Sequence, residues 1–291
     1  MPENSPSAPA GNGPLLELDS IRQVFHSTRE SVVAVKDVSL NVGPGEVVCL
    51  VGQSGSGKST LAKIAAGLRR PTGGQVRYDG KDVYDRRNRR AWKTFRRGVQ
   101  YVHQDPYASL NPIQDVYTIL SAPLLEHKLV KGPDEAEQRV RELLLEVDLK
   151  PADRFISLFP HQMSGGQRQR VAVARSLTLN PKVILADEAT SMLDVSIRIG
   201  LLEMLTRLRV DRQVGMLFIT HDLAMAKFFG AEGTMAVMRH GAVVESGPTL
   251  DVIERPQHPY TQALLEACPE PDPDLAQQRR TARRLQEATA R

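Results

Sequence analysis

The sequence predicts an α/β fold: a parallel sheet carrying a phosphate-binding loop, an antiparallel β-subdomain and an inserted helical subdomain. Three observations lead there. The stretch Gly52-Gln53-Ser54-Gly55-Ser56-Gly57-Lys58-Ser59-Thr60 fits G-x-x-x-x-G-K-[ST], a P-loop. Residues 46–51 before it form an apolar run that reads as a buried parallel strand, and Leu61, Ile64, Ala65 and Leu68 after it fall on one helix face. A second apolar run, residues 183–186, ends in the carboxylates Asp187 and Glu188.

The chemistry follows from the residue types. Gly52, Gly55 and Gly57 let the backbone bend so that successive N–H groups point at phosphate oxygens, and the helix that follows turns its positive dipole end the same way. Lys58 is placed to reach the β- and γ-phosphates, and the Ser59 hydroxyl to help hold Mg²⁺. A glycine turn that binds nothing would leave Lys58, Ser59 and the strand–loop–helix context as coincidence. The expected architecture is a P-loop NTPase with a RecA-like core.

Composition sets the bounds. A chain of 291 residues buries one large core or two smaller ones. It is 41% hydrophobic and 25% charged, ordinary for a globular protein, and its net charge of +4 does not itself imply nucleic acid. Cys49 lies in an apolar strand as a small hydrophobe, and the second cysteine, Cys268, is too distant for a disulfide framework to be argued, which suits a reducing compartment. No apolar run approaches the roughly 18–20 residues that cross a bilayer. Residues 1–14 are rich in Pro, Ser, Gly and Asn and lack the basic start and apolar segment of a signal peptide, so a disordered leader is expected.

In chain order, residues 15–18 and 21–25 look like strands, a polar loop follows at residues 27–31, and Val38, Leu40 and Val42 alternate before the turn Gly43-Pro44-Gly45. Phe25 is either a platform for an adenine ring or a core aromatic. Beyond Pro71-Thr72-Gly73-Gly74, residues 75–78 form a short strand. The basic run at residues 86–90, with Arg96 and Arg97 behind it, reads as a nucleic-acid patch or a solvated helix face, and the single Trp92 argues for the second. Residues 99–102 form a strand that delivers His103 and Gln104 to a loop.

From about residue 105 to 179 the pattern turns helical. Pro133 with Asp134, Glu135 and Glu137 marks a helix start, and Val140, Leu143, Leu144 and Val147 form its apolar face. Ser164-Gly165-Gly166-Gln167 opens another helix, either a simple cap or a second anion site. Asp187 stands where such ATPases hold Mg²⁺, with Glu188 placed to polarise a water. A helix at about residues 195–208 and a strand at residues 216–220 follow, ending at His221, which lies at the same sheet edge.

Taken in this order, the pieces resemble the nucleotide-binding subunit of an ABC transporter over roughly residues 15–265. The resemblance places adenine stacking on Phe25, the Walker A loop on Gly52 to Thr60, and a Q-loop contact to Mg²⁺ on Gln104. It makes Ser164-Gly165-Gly166-Gln167 the signature, Asp187 the Walker B aspartate, Glu188 the catalytic carboxylate, residues 191–194 with Asp194 the D-loop, and His221 the switch histidine. Asn111-Pro112, the run from Gly165 to Arg170, Leu193 to Ser196 and the His258-Pro259-Tyr260-Thr261 segment narrow it toward the oligopeptide/dipeptide/nickel importer ATPases.

Two departures stand out. Ala189 replaces the usual proline after the catalytic carboxylate, and Cys268 alone is too few thiols for the iron–sulfur cluster that some of these ATPases carry. The resemblance implies ATP and Mg²⁺ as cofactors, and a domain at residues 15–245 with an appendage and basic tail at 246–291. Its implied partners are a second ATPase subunit (the same chain or a paralogue), two membrane permeases and an extracytoplasmic solute-binding protein, with no nucleic acid. The chain would then sit peripherally on the cytoplasmic face of the membrane, touching the permeases through residues such as Tyr107 and Leu110. The alternative is a soluble ABC ATPase of a non-transport complex, such as the carbon–phosphorus lyase system.

Overall fold

The computed structural model describes residues 13–26, 31–85, 88–191 and 193–267, with backbone alone at Pro106 and Tyr107. Period-two burial builds the first sheet. β1 (Leu16–His26) turns Leu16, Leu18 and Ile21 inward, and β2 (Ser31–Val42) does the same with Val35, Val38, Leu40 and Val42. Where two strand segments were expected, β1 runs as one strand with register shifts around Ser20, whose φ of 51° absorbs the bulge. β3 (Val47–Val51) leaves this layer for the second sheet, whereas β4 (Gly73–Tyr78) and the short β5 (Lys81–Asp82) return to it, giving the antiparallel order β2-β1-β4-β5.

The second sheet adds β6 (Val99–Val102), β7 (Val183–Asp187), β8 (Gly215–Thr220), β9 (Thr234–Arg239) and β10 (Ala242–Pro248), in the order β10-β9-β3-β8-β7-β6. Every pairing is parallel except that of β10 with β9. Side chains alternate between two cores. Val47, Cys49 and Val51 of β3, with Met216 and Phe218 of β8, face one cluster. Val48 and Leu50, with Leu217 and Ile219, face the other, shared with the antiparallel sheet. Burial pushes the Cys49 thiol up to about 12, in keeping with its reading as a small hydrophobe.

The register aligns strand ends. Val51 pairs with Thr220 and Asp187 with Ile219, so Gly52, Glu188 and His221 leave the sheet along one edge. β7 stops at Asp187, one residue short of the expected end, because Glu188 takes a left-handed conformation with φ 47°.

The helices cover the faces of this sheet. α1 (Lys58–Ala65) follows the P-loop; Leu68 falls beyond its end and is exposed, contrary to the amphipathic reading. α2 (Arg89–Gly98) buries Ala91 and Phe95 and exposes Arg89 and Arg90; Arg86 and Arg87 lie outside the described residues. Then come α3 (Pro106–Ser109), α4 (Val116–Glu126), α5 (Pro133–Glu146), α6 (Ala152–Phe155) and α7 (Gly165–Leu177). Asp115 caps α4 by accepting from the Thr118 N–H at 2.8 Å.

Leu120, Leu124, Val140, Leu143 and Leu144 interlock, and they join Val171, Ala174 and Leu177 in the same contiguous core as one sheet face. Leu110 belongs to that core at 3% exposure, which corrects its assignment to a docking surface; its apolar side chain is worth more buried than presented. The Tyr107 side chain is outside the described residues. α8 (Val195–Arg212) runs a turn longer than expected, and α9 (Leu223–Gly230), α10 (Thr249–Glu254) and α11 (Pro259–Glu266) complete the described helices.

A polar junction ties the end of α5 to α7 and α8. Asp148 accepts from Arg170 at 3.0 Å and from Arg207 at 2.6 Å, and Glu146 accepts from Arg212 at 2.6 Å. A cleft of about 400 Å³ opens beside it, lined in part by Leu145, Lys150 and Asp211. Burial tends to raise the Asp148 carboxyl, but the hydrogen bonds and charges of Arg207 and Arg170 outweigh it and hold its pKa below the usual carboxylate value. Its stabilising effect is therefore full above the ordinary carboxylate pKa of about 4 and is lost as pH falls through the depressed folded value. Asp148→Asn should flatten this acid-side loss, measured as a smaller fall in urea midpoint than the wild type between about pH 5 and pH 3.

Candidate active site

The P-loop wraps the start of α1. At Gly57, φ is 106°, and a Cβ would come within 2.3 Å of the Ala34 carbonyl oxygen. Only glycine fits there. The loop thus packs against β2 while no side chain caps α1, which leaves its first-turn N–H groups for an anion. Lys58, 4% exposed, donates from Nζ to the Gly52 carbonyl at 2.7 Å and the Gln53 carbonyl at 2.9 Å. Burial lowers its pKa, opposed by the charges of Glu188 and Asp187. Ser54 and Gly55 are exposed in the turn, Ser56 is buried, and Ser59 and Thr60 are half-buried on α1.

Two carboxylates close the other side. Asp187 accepts from the Ser59 hydroxyl at 3.2 Å and from the Tyr101 hydroxyl at 2.5 Å. Burial first, then the charge of Asp187 and that hydrogen bond, raise the Tyr101 pKa, so its phenol stays protonated and donating. Glu188 accepts from Gln104 Nε2 at 2.9 Å, and its second oxygen lies 3.3 Å from His221 Nδ1. Its backbone is pinned as well: the N–H donates to the Ile219 carbonyl at 2.9 Å, and the carbonyl accepts from the Ser191 N–H and hydroxyl. Such left-handed backbone in a non-glycine residue costs on the order of 1–3 kcal/mol and persists only where neighbours hold it. Lys58, Ser59, Gln104, Asp187, Glu188 and His221 therefore converge.

The remaining expected residues lie elsewhere or at the margin. Ser164 caps α7, accepting from the Gln167 N–H at 3.3 Å while Gln167 Oε1 accepts from the Ser164 N–H at 2.9 Å. Among the described residues no hydrogen bond links residues 164–167 to the P-loop. Gly165 and Gly166 instead back onto Leu193 and Ile197; a Cβ on Gly166 would meet Ile197 at 2.5 Å. Asp194 is exposed at the start of α8.

Phe25 is exposed and outside both cores, with the Arg69 guanidinium 4.7 Å from its ring centre. It pairs with Val32, two residues before the Ala34 carbonyl that touches Gly57. Cys268 lies outside the described residues.

Sequence reasoning missed three contacts. Tyr101 was read only as part of a strand, although β6 pairs it with Leu185 beside Asp187. Arg198 donates to the Leu193 carbonyl at 2.6 Å and the Ser191 carbonyl at 3.1 Å, with its other nitrogen 3.6 Å from Asp222. It ties Ser191 and Leu193 to the residue after His221. Tyr260 reaches the P-loop itself, accepting from the Gln53 N–H at 3.2 Å. A helical arginine and a tyrosine after a proline carry no local signal of such partners.

A buried parallel sheet whose strand ends gather a P-loop and two adjacent carboxylates defines a P-loop ATPase. Comparison with known proteins narrows the class: residues 35–191 match the ABC transporter family, and residues 244–290 match the oligopeptide/dipeptide transporter C-terminal region. The chain belongs to the ABC transporter family and is one of its ATPases.

It is 42% identical to the oligopeptide transport ATP-binding protein OppF of Bacillus subtilis, over 91% of this chain and 86% of that protein. It is 45% identical to the glutathione import ATP-binding protein GsiA of Escherichia coli, over 84% of this chain but only 38% of that protein. Among solved structures it resembles the ATP-binding cassette MJ0796 in a dimeric post-hydrolysis state with ADP and Pi, at TM-score 0.72 and 31% identity, covering 80% of this chain and 98% of that one.

Arg198→Ala should free Ser191 and Leu193 from Asp222. Losing hydrogen bonds to two carbonyls predicts roughly tenfold slower turnover, measured by phosphate release, with nucleotide affinity within about twofold.

Proposed function

We propose that this chain is the ATP-hydrolysing subunit of an importer that takes up peptides or a related small solute. The observation that carries the reading is the convergence of Lys58, Ser59 and Asp187 with a Glu188 held between Gln104 and His221. In this reading Lys58 leaves the Gly52 and Gln53 carbonyls to meet the β- and γ-phosphates, and the free N–H groups of the P-loop cradle them. Glu188 orients the attacking water, His221 and Gln104 keep its carboxylate aimed, and Phe25 stacks on the adenine.

Ser59 and Asp187, with the Gln104 side-chain oxygen, are the hard oxygen donors that Mg²⁺ takes alongside phosphate and water, so the donor set fits that ion. Bound there, Mg²⁺ supplies neutralisation of phosphate charge.

The Ser164 cap supports a two-chain site. It is a second exposed helix start, joined to no P-loop of its own chain, and with Gly165, Gly166, Gln167 and Asp194 it would serve nucleotide on a partner ATPase, a copy or a paralogue. The other partners in this reading are two permeases and an extracytoplasmic solute-binding protein, with the chain peripheral on the cytoplasmic face. Among the described residues no helix is long and apolar enough to cross a membrane.

With Leu110 buried, the large exposed apolar side chain close after the Q-loop among the described residues is Ile113, at 82% exposure, which makes it the better docking contact. The non-transport alternative is not favoured, since OppF and GsiA are named for transport and import.

Glu188→Gln should keep ATP binding while lowering turnover by about 10²–10³-fold, and near-normal turnover in the purified variant would remove Glu188 from its role. Expression with the neighbouring membrane genes tests the transport reading. Permeases should co-purify with the wild type, and Ile113→Asp should reduce both co-purification and peptide uptake while basal ATP hydrolysis by the isolated subunit persists.

A further inference from the structure

The carboxyl-terminal helix α11 reaches back to the nucleotide loop through one side chain. Tyr260 is 8% exposed, and its hydroxyl oxygen accepts from the Gln53 backbone N–H at 3.2 Å. The Gln53 carbonyl in turn accepts from Lys58 Nζ at 2.9 Å and from the Ser56 N–H at 3.2 Å. One residue of the P-loop is thus gripped at its N–H by the appendage and at its carbonyl by the lysine that reaches phosphate.

The grip has its own supports. The Arg239 guanidinium lies 4.8 Å from the Tyr260 ring centre. Arg239 ends β9, whose Val237 pairs with Val51 immediately before the loop. The Tyr260 N–H donates to His258 Nδ1 at 3.0 Å, which caps α11. Glu245 on β10 accepts from the Gln257 N–H at 2.7 Å and the His258 N–H at 3.0 Å. A chain of contacts therefore runs from β10 through His258 and Tyr260 to Gln53 and Lys58.

We infer that Tyr260 is a positioning residue for nucleotide binding, one that holds the first peptide of the P-loop in its cradle conformation. Without the hydroxyl the Gln53 N–H loses its acceptor at an exposed turn, and the loop must spend more of the nucleotide's binding energy on its own ordering. The effect belongs to affinity rather than chemistry, because Tyr260 touches the loop and not Asp187 or Glu188.

Tyr260→Phe tests this while keeping the buried ring. Measured with a fluorescent ATP analogue on the full chain, its dissociation constant should rise roughly three- to tenfold. KM for ATP should rise with it, and kcat should change less. Lys58→Ala marks complete loss of the site on the same titration. Leu264→Ala is the control for general loosening of α11, since it trims a partly buried side chain of the same helix that packs on the core. A Tyr260→Phe dissociation constant equal to that of the wild type overturns the inference. So does a rise matched by Leu264→Ala at the same urea midpoint, because the hydroxyl would then have no special part.

Discussion

A parallel strand buried on both faces must be apolar along its length, so its polar chemistry is expelled to its ends. β3, β7 and β8 obey this constraint: among them only Asp187 and Thr220 are polar, and both are terminal. Because the three strands pair in parallel register, their carboxyl ends fall on one edge, and the residues that follow are neighbours without any long loop to bring them together. Lys58, the adjacent pair Asp187 and Glu188, and His221 are separated widely in sequence, yet they depend on the same few ladder pairings for their positions.

What those pairings leave undetermined, side chains settle. Asp187 is held from the P-loop side by Ser59 and from the β6 side by Tyr101, so each of its two oxygens accepts a hydrogen bond. Glu188 is held more expensively, in a left-handed conformation that Ile219 and Ser191 stabilise through hydrogen bonds. In the proposed role, preorganisation of this kind moves the cost of aligning a water from the reaction step to folding. Ala189, 2% exposed, sits in the resulting turn without the ring that a proline would add, and the turn is stabilised by these bonds instead.

Beyond that centre, elements distant in sequence are joined by a few polar contacts. Arg198 joins Ser191 and Leu193 to Asp222, Tyr260 joins the carboxyl-terminal helix to Gln53, and Arg170 and Arg207 join Asp148 to α7 and α8. Each contact spans two elements that each have their own apolar anchoring, so each can change without unfolding the core. Devices that open and close a site are built at such junctions rather than within packed cores.

The P-loop, its strand and the strand ending at Asp187 were legible in the sequence because their signals are local: spacing of glycines, period and apolar runs. The helix starts at Pro133 and Ser164 were legible for the same reason, since capping chemistry is written within four residues. Leu68 and Leu110 were misread because an apolar residue beyond a helix looks the same whether a neighbour covers it or not; tertiary packing exposed the first and buried the second.

Tyr101 with Asp187, 86 residues apart, and Tyr260 with Gln53, 207 apart, have no local signature at all. Sequence alone determined which residues could do phosphate chemistry, since that is a property of side-chain type and short spacing. The tertiary structure decided which side chains hold them in place, because those partners are chosen by sheet register and helix docking.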